Sequence, residues 1–275
     1  MIDAHVHLWR IGQNGCTWPT PDLAPIYRDV ELAELRQVTT AAGMQGVILV
    51  QSQEDVTDTR WLLQLAADPL VMGVIGWVDL AAPDADAQIR TLASDPMLRG
   101  LRPMLQDQRP DWCDPRHGLA LRAMAELGLV FDALIRPQHL ATLERVASHR
   151  PNLRIVIDHA AKPDMTNRAG WEDAMASIAR NPNIACKLSG LLTELRPGRG
   201  NEAIEPIFAH LWRCFGPGRL IWGSDWPVLT LATDYAGWLD RARAMVPPKH
   251  HDAVFGGNAR RVYGLARAEP LRARA

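Results

Sequence analysis

The feature that most restricts the fold of this chain is an alternation of two periodicities, repeated eight times. Short apolar runs occupy positions 2–7, 47–51, 71–78, 100–104, 129–134, 155–159, 184–189 and 220–225. Runs of this length without polar alternation are the pattern of strands covered on both faces. Between and after them lie longer segments whose apolar residues recur every three to four positions, at 30–42, 57–67, 84–94, 118–127, 138–149, 171–179, 204–215 and 233–245. These read as amphipathic helices, punctuated by Gly43 after the first, Pro83 before the third and Pro151 after the fifth.

Each interval is long enough for one crossover helix, so the strands are expected to pair in parallel beneath a helical layer, which places the chain in the α/β class. Eight units favour the closed (β/α)8 TIM barrel. The barrel is predicted as a single domain over residues 1–265, with 266–275 as a flexible tail. An open doubly wound sheet is the other arrangement with this pattern, but no G-x-G-x-x-G follows the first strand, where a dinucleotide fold needs it.

Composition narrows the partners. Thirty Lys and Arg balance 31 Asp and Glu in 275 residues, which leaves no basic footprint for nucleic acid or an anionic membrane. The longest apolar stretch, 70–78, falls well short of the roughly 18 residues a membrane helix needs. The N-terminus enters a strand at once, and the four cysteines include no C-x-x-C pair. Both features fit a cytoplasmic protein with reduced thiols. Oligomeric state is left open.

Polar residues gather at the C-terminal ends of the expected strands, the end at which such barrels keep their chemistry. His5 and His7 lie two apart on strand 1 and face the same way. Gln51, with Glu54 just beyond, ends strand 2, and Arg102 lies on strand 4. Asp132 is on strand 5, Asp158 and His159 end strand 6, Lys187 and Ser189 share one face of strand 7, and Asp225 ends strand 8. Each has a plainer reading: core imidazoles bonded to backbone for the histidines, a helix cap for Asp225, a loop cap for Arg102, a buried ion pair for Lys187. Their coincidence at one end of a barrel favours a site, because burying them without partners costs several kcal/mol.

Trp9, Trp77 and Trp226 follow strands 1, 3 and 8, and their flat faces suit either the core or a sugar-like ring. His117, His139, His149, His210, His250 and His251 fall on helices or their ends and read as surface residues. No G-x-S-x-G, G-x-x-x-x-G-K-[ST] or H-E-x-x-H is present, which leaves hydrolysis by an activated water.

Five segments, in order, resemble the amidohydrolase superfamily and, within it, the branch of sugar-acid lactonases. They are Ile2-Asp3-Ala4-His5-Val6-His7-Leu8-Trp9, Leu98-Arg99-Gly100-Leu101-Arg102, Asp158-His159-Ala160-Ala161-Lys162-Pro163, Cys186-Lys187-Leu188-Ser189-Gly190-Leu191 and Gly223-Ser224-Asp225-Trp226-Pro227. The resemblance implies a hydrolase acting on a small-molecule lactone. Asp225, His159, His5 and His7 would be catalytic, and Arg102, Lys187, Ser189, Gln51, Trp9, Trp77 and Trp226 would hold the substrate. The lysine or histidine that metal-dependent members add from strand 4 or 5 is replaced here by Leu101-Arg102-Pro103 and Phe131-Asp132-Ala133. A two-metal centre is therefore not expected, and the branch implies that no metal is required. His5, His7, His159 and Asp225 still have the donor types for one zinc-like ion.

Overall fold

The computed structural model describes residues 1–113, 115–165, 167–195 and 201–265. The strands are β1 (Ile2–Val6), β2 (Gly46–Val50), β3 (Val71–Gly76), β4 (Leu98–Leu101), β5 (Val130–Ala133), β6 (Ile155–Ile157), β7 (Ile184–Leu188) and β8 (Leu220–Trp222). They form one parallel sheet in the order β1 to β8. Helices α1 (Leu32–Ala41), α2 (Val56–Leu65), α3 (Ala85–Leu92), α4 (His117–Glu126), α5 (Leu140–His149), α6 (Ala169–Ile178), α7 (Glu205–Arg219) and α8 (Tyr235–Met245) follow the strands in turn. The expected single-domain (β/α)8 barrel is thus the observed architecture. No helix among the described residues is long and apolar enough to cross a membrane. The expected tail, 266–275, lies outside the described residues.

Several strands stop earlier than the apolar runs suggest. The run 155–159 leaves the sheet after Ile157, and the run 220–225 leaves it after Trp222. The residues that then turn away from the ladder, Asp158, His159 and Asp225, carry the polar groups of the barrel mouth. Helix α7 contains a break at Gly216, where φ is 60°, so its regular part ends where the periodicity ends.

A ninth helix, α9 (Asn258–Tyr263), is too short to leave a periodic signal in the sequence. Its Ala259, Val262 and Tyr263, with Leu265, pack against Ile2, Ala4, Ile48, Val50, Ile75, Val130, Val156, Ala185 and Ile221. These strand residues point inward at the N-terminal end of the barrel, and α9 closes that end. Two positions further along the same strands the inward residues become Asp132, Asp158 and Lys187, and then Ser189 and Asp225. Period-two alternation therefore builds an apolar floor and a polar upper layer from the same strands. The barrel's outer face packs against the helices around Leu49, Leu101, Phe131, Ile157, Leu188 and Trp222.

Closure joins the two sequence-distant edges. Asp225 N–H donates to His5 O at 2.9 Å, and His7 N–H donates to Trp226 O at 2.8 Å. The buried carboxylate of Asp3 staples this seam: Oδ1 accepts from Ser224 N at 2.9 Å and from His5 N at 3.1 Å, and Oδ2 accepts from Tyr235 Oη at 2.8 Å. Burial raises the Asp3 pKa to about 6, against the opposing effect of those bonds. A bulge lies beside the staple, because Asp3 pairs Val47 while Val6 pairs Leu49, three steps on β1 against two on β2. Bulges re-aim side chains, and this one brings His5 onto the inward face with His7.

Two of the histidines expected at the surface are buried. His139 Nδ1 accepts from Arg136 N at 3.0 Å and its Nε2 lies 3.0 Å from Gln108 O. His210 packs its ring against Trp171. Both are core side chains whose polar atoms are satisfied locally, which helix position alone does not reveal.

Replacing Asp3 with Ala is expected to destabilise the fold by about 2–4 kcal/mol, since buried donors on both sides of the seam lose their acceptor. Asp3→Asn, which keeps an acceptor there, should recover most of the loss. Urea unfolding of the two variants measures both.

Candidate active site

Four side chains from three strand ends converge above the polar layer. His5 Nε2 lies 3.0 Å from His7 Nε2 and 3.6 Å from Asp225 Oδ1. His7 Nε2 is 3.3 Å and His159 Nε2 is 3.9 Å from the same carboxylate oxygen. All four residues are buried.

The other ring nitrogens fix where the protons are. His7 Nδ1 donates to Val50 O at 2.8 Å, so its Nε2 is bare. His5 Nδ1 lies 3.0 Å from Lys187 Nζ and 3.5 Å from Asp158 Oδ1; with the nearer ammonium donating, the His5 proton sits on Nε2 and points at His7. His159 Nδ1 lies 3.0 Å from Ser189 Oγ; with that hydroxyl donating, His159 presents Nε2–H toward Asp225.

Charge states follow from the surroundings. Burial first, and then the Lys187 charge, holds His5 well below its ordinary pKa of 6.5; burial likewise lowers His7 and His159. Burial would raise Asp225, but the imidazoles of His159, His7 and His5 outweigh it and hold the acid below the usual carboxylate range. At neutral pH the cluster is one carboxylate among three neutral imidazoles. That is the state in which an acid can take a proton from water.

The backbone around His159 is unusual. His159, Ala160, Ala161 and Lys162 have φ of 50°, 52°, 59° and 49°, one left-handed turn without a glycine, and Asp225 has φ of 63°. Each such residue costs about 1–2 kcal/mol, and strain of this kind concentrates at functional sites. Trp171 Nε1 donates to Ala160 O at 2.8 Å, which holds the turn in place. Two glycines permit the close packing. A Cβ on Gly190 would overlap the His159 ring, 2.6 Å from its Cγ, and one on Gly223 would lie 2.7 Å from His5 Cβ.

A cavity of about 200 Å³ opens on this cluster, lined by His7, Trp18, Ser52, Arg102, Met104, Gln106, Leu134, His159, Lys162, Asp225 and Val228. Arg102 is buried; one terminal nitrogen donates to Gln51 O, another lies 4.0 Å from Asp158 Oδ2, and Nε has no protein partner. Its pKa is lowered by burial, with Asp158 and Asp225 opposing.

Of the residues expected to hold substrate, Arg102 alone lines this cavity. Lys187 and Ser189 lie beneath it: Lys187 bonds Asp132, His5 and Asp158, and Ser189 backs His159. Gln51 is buried and donates to Arg102 O at 2.7 Å. Trp9 is buried edge-on against Trp18, with its Nε1 bonded to Arg28 O, and Trp226 is buried beside the seam. Trp77 and Glu54 line a neighbouring cavity of about 230 Å³, which shares Met104 with the first. Lys187, Ser189 and Gln51 share one reason: inward residues low on a strand are covered by those above, and the cavity wall comes from loops. Trp18, Ser52, Gln106 and Lys162 are the polar or aromatic wall residues that strand-end reasoning misses. Lys162, three residues after His159 and paired with Glu194 at 3.2 Å, is the one a sequence motif contains.

Residues 2–265 match the family described as amidohydrolase. The chain belongs to this family. It is 44% identical to an L-fucono-1,5-lactonase of Burkholderia ambifaria, over 97% of this chain and 96% of that protein, and 32% identical to an L-fucono-1,5-lactonase of Burkholderia multivorans, over 99% and 98%. Among solved structures, an amidohydrolase of Burkholderia multivorans with bound zinc superposes with a TM-score of 0.87 at 32% identity, covering 96% of this chain and 99% of that one.

His5, His7 and Asp225 form a group that could hold a metal ion. Their separations of 3.0, 3.3 and 3.6 Å lie near the roughly 3.4 Å edge of a tetrahedron with 2.0–2.1 Å bonds, and His159 Nε2 lies 3.9 Å from the shared carboxylate oxygen. The donor types and spacing of this amidohydrolase therefore fit a single zinc-like ion. The pairing of His5 with Lys187 does not, because it places a proton on the nitrogen that would bind.

Gly190→Ala is expected to lower stability by about 2–4 kcal/mol through left-handed strain plus displacement of the His159 ring. Gly12→Ala, at a φ of 71° with open space around it, should cost only about 1 kcal/mol. Denaturant midpoints of the pair separate strain from contact.

Proposed function

We propose that this amidohydrolase opens sugar-acid lactones, with L-fucono-1,5-lactone or a close aldonolactone as the first substrate. The observation that carries the reading is an ionised, buried Asp225 among neutral imidazoles and beside Arg102, at a cavity small enough for one ring. The near-full-length likeness to two lactonases of that name supports the same substrate. At about 200 Å³ the cavity lies below the roughly 300–1,000 Å³ typical of drug-sized ligands.

In the proposed reaction Asp225 accepts a proton from water as the oxygen attacks the lactone carbonyl carbon. The developing oxyanion is met by Arg102 and by His159 Nε2–H, both on the cavity wall. Collapse breaks the bond from the carbonyl carbon to the ring oxygen, and protonated Asp225 returns its proton to that oxygen. Each oxyanion donor of this kind contributes about 10²- to 10³-fold in rate. A metal ion held by His5, His7 and Asp225 would have to displace the His5 Nε2 proton and would then supply Lewis acidity; the reaction as proposed uses only the protein's own groups. Gln106, whose Oε1 is buried without a partner, and Trp18 are available to a hydroxylated ring.

The cytoplasm is the proposed location, in keeping with the unbridged thiols of Cys16, Cys186 and Cys214. No nucleic-acid partner is proposed.

A panel of L- and D-aldono-1,4- and 1,5-lactones, followed by acid release, tests the substrate class; no turnover of any member would overturn it. Asp225→Asn should lower kcat by about 10³-fold or more while the protein stays folded, and near-native turnover would remove Asp225 as the base. Dialysis against a chelator should leave lactone hydrolysis largely intact. Activity that disappears with the metal and returns with zinc would show that a metal is needed.

A further inference from the structure

Beneath the cluster runs a buried chain of polar contacts that the proposed reaction does not use. Tyr263, on the helix that closes the floor, donates through Oη to Asp132 Oδ1 at 2.8 Å. Asp132 bonds Lys187, whose Nζ lies 3.0 Å from Asp158 Oδ1 and 3.0 Å from His5 Nδ1. The chain crosses the barrel interior from α9 through β5 and β7 to β1. All four members of the line from Tyr263 to His5 are at most 2% exposed.

We infer that Tyr263, Asp132 and Lys187 are positioning residues that hold the His5 proton on Nε2. Two constraints act together. Lysine has donors and no acceptor, so the ammonium at 3.0 Å from Nδ1 calls for a bare nitrogen there; Asp158 Oδ1, 3.5 Å from the same nitrogen, is itself engaged by Lys187 at 3.0 Å and is the more distant partner. The opposite tautomer would set two bare Nε2 atoms face to face at the 3.0 Å His5–His7 distance, with the His5 lone pair also 3.6 Å from the Asp225 carboxylate. With the proton on Nε2, His5 instead donates into His7, and the bond from His7 Nδ1–H to Val50 O completes the line at its upper end.

A purely structural origin explains the network poorly. Apolar side chains of similar size would stabilise a barrel interior as well as a buried ion pair, or better. They would leave His5 Nδ1 without a donor and its proton unassigned. Tyr263 completes the arrangement by bonding both oxygens of Asp132, at 2.8 and 3.1 Å, with the Lys187 ammonium 5.6 Å from its ring centroid. The acid is thereby oriented toward Lys187, and Lys187 toward His5.

The kinetic arm of the test rests on the lactonase reading; the spectroscopic arm does not. Long-range proton–nitrogen correlation on protein carrying ¹⁵N-labelled histidine reads each ring's tautomer, and loss of one pattern in His5→Gln assigns it. An Nε2–H pattern for His5 is expected, and an Nδ1–H pattern would overturn the inference even with lactone turnover intact. Tyr263→Phe keeps the shape of the floor and removes the hydroxyl. It should lower kcat by about tenfold with KM within about twofold, the scale seen when a group orienting a functional histidine is lost. A folded Tyr263→Phe protein with unchanged kcat and an unchanged His5 pattern would remove Tyr263 from the line. Should the lactone panel fail altogether, the His5 pattern in Tyr263→Phe against wild type still decides whether Tyr263 acts on that proton.

Discussion

The seam between the first and last strands is the constraint on which the site depends. Without the backbone bonds linking Asp225 to His5 and Trp226 to His7, the carboxylate and two of the imidazoles would belong to opposite edges of an open sheet. Asp3 reinforces the junction with three hydrogen bonds and lies beside the bulge that turns His5 inward. Barrel closure and site assembly are therefore one event. The same few residues carry the mechanical load at the edge of the sheet and set the spacing of the cluster.

Much of this is legible in the sequence. Eight apolar runs alternating with amphipathic segments suffice for the barrel, because period and length leave few other ways to bury so many strands. His5, His7, His159 and Asp225 are legible as a group because strand ends on one face of a closed barrel must share a mouth. Lys187, Ser189 and Gln51 are harder to place. They are polar and inward like the others, and their depth depends on where each strand leaves the ladder, which is set by hydrogen bonding to neighbours far away in sequence. The cavity wall is less legible still. Trp18, Gln106 and Lys162 come from loops, which have no periodicity to read. Asp3 illustrates a different gap: it lies inside a quoted motif, yet its role is visible only once Ser224 and Tyr235 are seen to donate to it.

Electrostatically the interior is layered. An apolar floor gives way to the ionic group of Asp132, Lys187, Asp158 and Arg102, and above this lies a cluster held neutral except for Asp225. Lys187 remains an ammonium although burial would lower its pKa, since Asp132 and Asp158 outweigh that effect. Burial in turn raises Asp132 to about 6, whereas the Lys187 charge keeps Asp158 well below the ordinary range despite its burial. The Lys187 charge thus lies one layer below Asp225, against His5, while the Arg102 charge reaches the cavity wall beside the cluster.

Helix α9 has a consequence for how the protein is made. It is synthesised after all eight strands, yet it supplies the floor of the barrel and the hydroxyl that meets Asp132. During translation, a nascent chain that has already emerged through β8 would have an open base and an Asp132–Lys187 pair reachable by water. Only when this late segment docks does the barrel gain its floor, and Asp132 its tyrosine donor.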